Sequence, residues 1–183
     1  MTVHITYFVH GTTTDNEKDL ATGWLPGELS QKGKDETKRL AEQLAGKHFD
    51  VVFCSDLQRA VDSANLCFGG KCEIIHDQRL RECNYGDLNG TAASAFKDKL
   101  TDYIDVRFPE GESYHDVTMR LSSFVDFLRE NYDGKRIAVV AHQAPQLALD
   151  VLLRGKSWHQ AIAEDWRKTK AWQPGWEYVT KEE

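Results

Sequence analysis

The chain has 183 residues, 40% of them hydrophobic, and a formal net charge of −6. That size supports one substantial core, and no Pro/Gly/Ser-rich stretch divides it, so a single domain over residues 1–183 is expected. The acidic balance argues against a nucleic acid partner but leaves room for a local basic pocket and a small anionic substrate, and no stretch has the length or leader pattern of a membrane or export segment, so a soluble, cytoplasmic protein without a membrane partner is expected.

Residues 4–9 form a β-branched and aromatic run that stops at His10-Gly11 and is followed by Thr12, Thr13, Thr14 and Asn16. This reads as a strand delivering a histidine to a loop, and at the carboxyl edge of an α/β sheet such loops bind ligands. Gly11 allows close backbone approach, and the threonines and Asn16 are neutral donors for an anion. By itself, a histidine at a strand end is more often structural than nucleophilic. Residues 21–30, with Gly23, Pro26 and Gly27, read as an ordered loop anchored by Trp24. Ser30 reads as the N-cap of a helix bearing Thr37, Leu40, Ala41 and Leu44 and ending near Gly46.

Residues 50–54 are a second apolar strand, after which Ser55 or Asp56 is placed to cap a helix carrying Ala60, Ala64 and Leu66 or Cys67. Arg59 falls in its first turn, against the helix dipole, where a guanidinium can grip a phosphate through two parallel hydrogen bonds. A third strand covers residues 73–76, the segment 80–90 reads as a structured loop able to aim Glu82 inward, and residues 91–106 read as partly helical. After a turn at 108–113, an amphipathic helix runs to about Tyr132 with Val117, Leu121, Phe124, Val125 and Leu128 as its apolar stripe, ended by Asp133-Gly134.

Residues 137–141 are apolar on both faces, as in a central parallel strand, and end in His142-Gln143-Ala144-Pro145. Pro145 suits the first turn of a helix over 147–153, so a second histidine stands at a helix N-terminus, a ready anion site. Trp158, Trp166, Trp172 and Trp176 read as core or edge packing, with residues 176–179 a final edge strand; that edge or the tryptophans could serve a homodimer. Cys54, Cys67, Cys72 and Cys83 are too irregularly spaced for a metal knuckle or a redox pair, so they read as reduced thiols and no metal is assigned.

In order and spacing these pieces resemble the histidine phosphatase superfamily, the phosphoglycerate mutase-like proteins, over about residues 4–153. The resemblance rests on separated motifs that follow one another in order along the chain. His10-Gly11 with Thr13 and Asn16 is the first, followed by Gly23-Trp24 with Leu29-Ser30-Gln31-Lys32-Gly33. Ser55-Asp56-Leu57-Gln58-Arg59-Ala60 and Leu80-Arg81-Glu82 with Tyr85-Gly86 are the next two. Pro109-Glu110-Gly111-Glu112-Ser113 with Arg120, then Val140-Ala141-His142, completes the set.

The resemblance implies a three-layer αβα sandwich with a mostly parallel central sheet and a phosphomonoesterase that acts on a small phosphorylated metabolite without cofactor or metal. It implies His10 as the nucleophile that forms a phosphohistidine, Glu82 as general acid and then base, and His142 as a catalytic partner. It further implies Gly11, Thr13, Asn16, Gly23, Arg59 and Gln143 around the phosphate and substrate. The family carries an arginine just before the nucleophile, where this chain has Val9, a substitution or a one-residue deletion. Losing that charge-assisted contact removes roughly 1.5–3 kcal/mol, or about one to two decades of binding or rate. Lys32 is the nearest replacement by analogy of the loop. The short segment between Gly90 and Pro109, and Cys83 where similar mutases carry a carboxylate-binding arginine, favour hydrolysis over mutase activity. A pseudophosphatase that binds phosphate compounds or a protein partner is the alternative that Val9 favours.

Overall fold

The computed structural model describes residues 1–169 and 174–180, so Trp172 lies outside the described residues. In chain order its elements are β1 (His4–Val9), α1 (Thr14–Glu17), α2 (Gln31–Gln43), β2 (Val51–Cys54), α3 (Gln58–Phe68), β3 (Ile74–His76), α4 (Tyr114–Asn131), β4 (Arg136–Ala141), α5 (Gln143–Arg154), α6 (Trp158–Ala163), α7 (Trp166–Thr169) and β5 (Trp176–Val179). Short 3-10 turns at Ala93–Ala95 and Lys97–Tyr103 are the partial helicity expected of 91–106. No described helix is long and apolar enough to cross a membrane.

The five strands lie in the order β3-β2-β4-β1-β5, parallel except for β5, which pairs antiparallel with β1 at the edge. The period-2 alternation of side chains sorts the strand residues between two cores. Ile5, Tyr7, Val51, Phe53, Ile137 and Val139 face one, with the stripe of α4 and with α5 and α6. Phe8, Val52, Cys54, Ala138 and Val140 face the other, with α2 and α3. Helices therefore cover both faces of a mostly parallel sheet, the αβα sandwich that the resemblance implied.

Two local expectations change. Leu57, not Ser55 or Asp56, is the N-cap of α3 and offers no side-chain bond. The Ser55 hydroxyl instead accepts from the Leu57 N–H at 3.2 Å, and Asp56 is drawn to Arg81, with bonds of 2.6 and 2.8 Å. Of the two alternatives on that helix, Cys67 is buried and Leu66 is exposed. Ser30 caps α2 as expected, accepting from the Gly33 N–H at 3.2 Å.

The four cysteines are free thiols, and three of them are buried. Burial pushes Cys54 up to about 12 and Cys67 to about 11.

Candidate active site

β1 pairs residue for residue with β4 from His4 to Val9, and the His10 N–H extends the ladder to the Ala141 carbonyl at 3.0 Å, so no bulge accompanies Val9. The two strands thus bring His10 and His142 to one edge of the sheet, with ring centroids 5.1 Å apart. His10 Nδ1 lies 2.8 Å from the Gly11 carbonyl. A carbonyl only accepts, so the ring proton sits on Nδ1 and Nε2 keeps its lone pair. Arg59 Nε donates to that lone pair at 3.3 Å. Burial, then the Arg59 charge, lowers the His10 pKa from 6.5 to about 3. His142 is fully buried, its pKa is held well below 6.5 first by burial and then by Arg59, and among the described residues neither ring nitrogen has a partner.

Arg59 is 2% exposed and fixed from several sides. It donates to the Leu25 carbonyl at 2.9 Å and the Gly23 carbonyl at 2.7 Å, which ties the 23–26 loop to the histidine pair. Ser63 joins β1 to α3, accepting from the Gly11 N–H at 3.1 Å and donating to the Arg59 carbonyl at 2.8 Å. The reason for glycine at 11 is therefore different from the expected ligand approach. A Cβ there would stand 2.5 Å from the Gly33 carbonyl and 2.6 Å from the Thr37 hydroxyl, so it is α2 that approaches closely.

Glu82 is 8% exposed. Oε1 accepts from the Cys83 and Ala144 N–H groups at 2.8 and 2.9 Å, and Oε2 accepts from Gln143 at 3.1 Å. The N–H of His142 goes to the Tyr7 hydroxyl at 2.9 Å, and Pro145 has none. The start of α5, read above as an anion site, is thus filled by the chain's own carboxylate, a cap supplied from a distant loop. That loop is itself held. The Trp24 indole donates to the Glu82 carbonyl at 2.7 Å, and Arg120 donates to the same carbonyl at 3.0 Å while pairing with Glu112 at 2.9 Å. Trp24 anchors its loop as expected, and it also positions Glu82.

A cavity of about 630 Å³ opens at this sheet edge, and of the expected site residues it is lined by His10, Gly11, Asn16, Glu82 and Gln143. Arg59 and His142 are buried against the His10 ring rather than in the wall. Thr13 is fully buried and its hydroxyl accepts from the Asn16 N–H at 3.0 Å, while the Asn16 side-chain Oδ1 accepts from the Thr13 N–H at 3.0 Å. Gly23 contributes its carbonyl to Arg59. Lys32 reaches the wall, but its side chain is 67% exposed and it pairs with Glu36 at 3.8 Å.

Asp165, Trp166 and Arg167 belong to the wall or its support, yet in the sequence none of them reads as a site residue, and Trp166 reads as packing alone. Trp166 and Arg167 line the cavity beside Val9, and the guanidinium lies 4.5 Å from the indole. Asp165 is buried and accepts from Arg167 Nη1 at 3.0 Å and from the Gln143 side-chain amide. The local pattern Asp-Trp-Arg looks like any tryptophan-rich packing segment, because the residue that completes the arrangement, Gln143, arrives from another element.

The family model described as histidine phosphatase superfamily, branch 1, matches residues 7–178. The 2,3-bisphosphoglycerate-dependent phosphoglycerate mutase of Methylorubrum extorquens (strain PA1) is 33% identical over 162 residues, covering 80% of this chain and 76% of that protein. Phosphoserine phosphatase 1 of Hydrogenobacter thermophilus is 28% identical over 142 residues, covering 73% and 67%. Among solved structures, a mycobacterial glucosyl-3-phosphoglycerate phosphatase superposes with a TM-score of 0.76 at 25% identity, covering 89% of this chain and 84% of that one.

Proposed function

The chain belongs to the histidine phosphatase superfamily, branch 1, and from that premise we propose that it hydrolyses a small phosphomonoester through a phosphohistidine on His10. The observation that carries this reading is the 2.8 Å contact of His10 Nδ1 with the Gly11 carbonyl, which assigns the ring proton to Nδ1 and leaves the Nε2 lone pair, in a cavity that Glu82 shares. In the first step Nε2 attacks phosphorus, the bond to the leaving oxygen breaks, and Glu82, entering the step protonated on Oε2, the oxygen that accepts a single N–H, gives the leaving oxygen that proton. In the second, Glu82 takes a proton from water as the water oxygen attacks phosphorus and the P–N bond breaks, which returns His10 neutral. Arg59, released from Nε2 as phosphorus approaches, and His142, whose ring nitrogens have no partner among the described residues, would meet the phosphoryl oxygens, while Gly11, Asn16 and Gln143 line the pocket and Thr13 and Gly23 hold Asn16 and Arg59 from behind.

Curated relatives include mutases and phosphatases alike, and two features favour hydrolysis. Cys83, where similar mutases carry an arginine, is fully buried and offers nothing to a substrate carboxylate. The segment between Gly90 and Pro109 is short. Val9 supports a second reading, a protein that binds phosphate compounds without turning them over.

Phosphate release from p-nitrophenyl phosphate and a panel of metabolite phosphates, compared with His10→Ala, separates the two. Release that is lost in the variant supports the hydrolase, as would an alkali-stable, acid-labile phosphoryl adduct on wild-type protein. Phosphate binding by folded wild type with no release in either protein would sink hydrolysis in favour of the binding protein.

A further inference from the structure

We propose that Arg167 supplies the phosphate-binding guanidinium that β1 lacks at Val9, reaching the phosphoryl group from the C-terminal segment rather than from the strand. The inference rests on the hydrolase reading above and names a residue for it.

Geometry narrows the candidates. A dianionic phosphoryl group in this cavity meets an apolar Val9 wall. Arg59 already divides its donors between His10 and the carbonyls of Gly23 and Leu25. Lys32 is largely solvated and paired with Glu36. Arg167 is the other described cation in the wall, and its side chain is 28% exposed. Its orientation is built: Nη1 donates to buried Asp165 at 3.0 Å, and the guanidinium lies against the Trp166 ring. Among the described residues no acceptor takes Nε or Nη2, so those donors remain for an anion.

Asp165 has a second use in this arrangement. It accepts from the Gln143 amide as well, so one buried carboxylate aligns two donors of the cavity wall. The charge of Arg167 also bears on both histidines, helping to keep them neutral, which places it within electrostatic reach of the reacting centre. A guanidinium anchored in this way loses little freedom when it meets a phosphate.

The test is a double-mutant cycle on Val9 and Arg167 in the full-length protein, read as kcat/KM for p-nitrophenyl phosphate and as Kd for inorganic phosphate by calorimetry. Arg167→Gln should lower kcat/KM and weaken phosphate binding by about 10- to 100-fold, the scale of one charge-assisted contact. Val9→Arg in that background should restore most of the loss, because the strand then carries the charge again. Thermal midpoints of all four proteins show whether each is folded. A folded Arg167→Gln protein within twofold of wild type in both readouts overturns the proposal, as does a double variant no better than Arg167→Gln alone. If wild type shows no His10-dependent release, the hydrolase reading has failed, and phosphate Kd still judges Arg167 independently.

Discussion

A ring that stays neutral in the folded chain far below its ordinary pKa must leave a mark on stability. Burial and then Arg59 lower His10 from 6.5 to about 3. Above pH 6.5 the ring is neutral in folded and unfolded chains alike. As pH falls from there towards about 3, the unfolded ring takes up a proton that the folded ring refuses, so stability is lost. Each pH unit of that window costs about 1.4 kcal/mol, so between about pH 7.5 and about pH 4.5 His10 should account for about 2–3 kcal/mol, with its partly solvated edge favouring the lower figure. His10→Gln removes the titration. Urea unfolding of wild type and variant at both pH values should show the wild type losing more stability on acidification, by that amount. Taking the difference within each protein cancels the direct effect of the substitution. His142 shifts in the same direction and stays in both proteins, so its contribution cancels apart from the smaller part that His10 itself imposes, which ranks after burial and Arg59. An equal acid loss in wild type and His10→Gln would refute the reasoning. The same shift bears on catalysis: at about pH 4.5 an ordinary histidine is only about 1% neutral, whereas this one stays almost entirely neutral, so the acid limb of kcat/KM should not report His10.

Glu82→Gln should lower kcat/KM for alkyl phosphates by about 10²- to 10⁴-fold but for p-nitrophenyl phosphate much less, since that leaving group needs no proton, while kcat falls for both because Glu82 also activates the water; equal losses in kcat/KM would remove Glu82 from the acid role. Gly11→Ala puts a Cβ 2.5 Å from the Gly33 carbonyl. It should cost about 1–3 kcal/mol, and an unchanged thermal midpoint would contradict the close packing of β1 on α2. Arg120→Ala leaves half-buried Glu112 without its 2.9 Å partner and frees the Glu82 carbonyl. We expect a destabilisation of about 3 kcal/mol, recovered only in part by Arg120→Lys, whose ammonium keeps the charge but not the forked bonds to Glu112 and the Glu82 carbonyl, and urea titration of both variants checks it.

What contiguous residues encode was readable from the chain alone. Strand runs at 4–9, 50–54, 73–76, 137–141 and 176–179 and the apolar stripe from Val117 to Leu128 were legible because periods of 2 and 3.6 are properties of neighbouring residues. The same patterns put His10 and His142 at strand ends, and parallel pairing of β1 with β4 then makes them neighbours. The motifs around Arg59 and Glu82 marked those residues without saying what they touch. Only the tertiary structure decided that Gly11 makes room for a helix, that the N-terminus of α5 is occupied by Glu82, and that Arg59 reaches back to Gly23 and Leu25. It alone joined Gln143 to Asp165 and carried Arg167 to the cavity that Val9 leaves uncharged. The physical reason is the range of the forces concerned: backbone periodicity is set within a few residues, whereas hydrogen-bond satisfaction and local charge are sums over whatever groups the fold brings together.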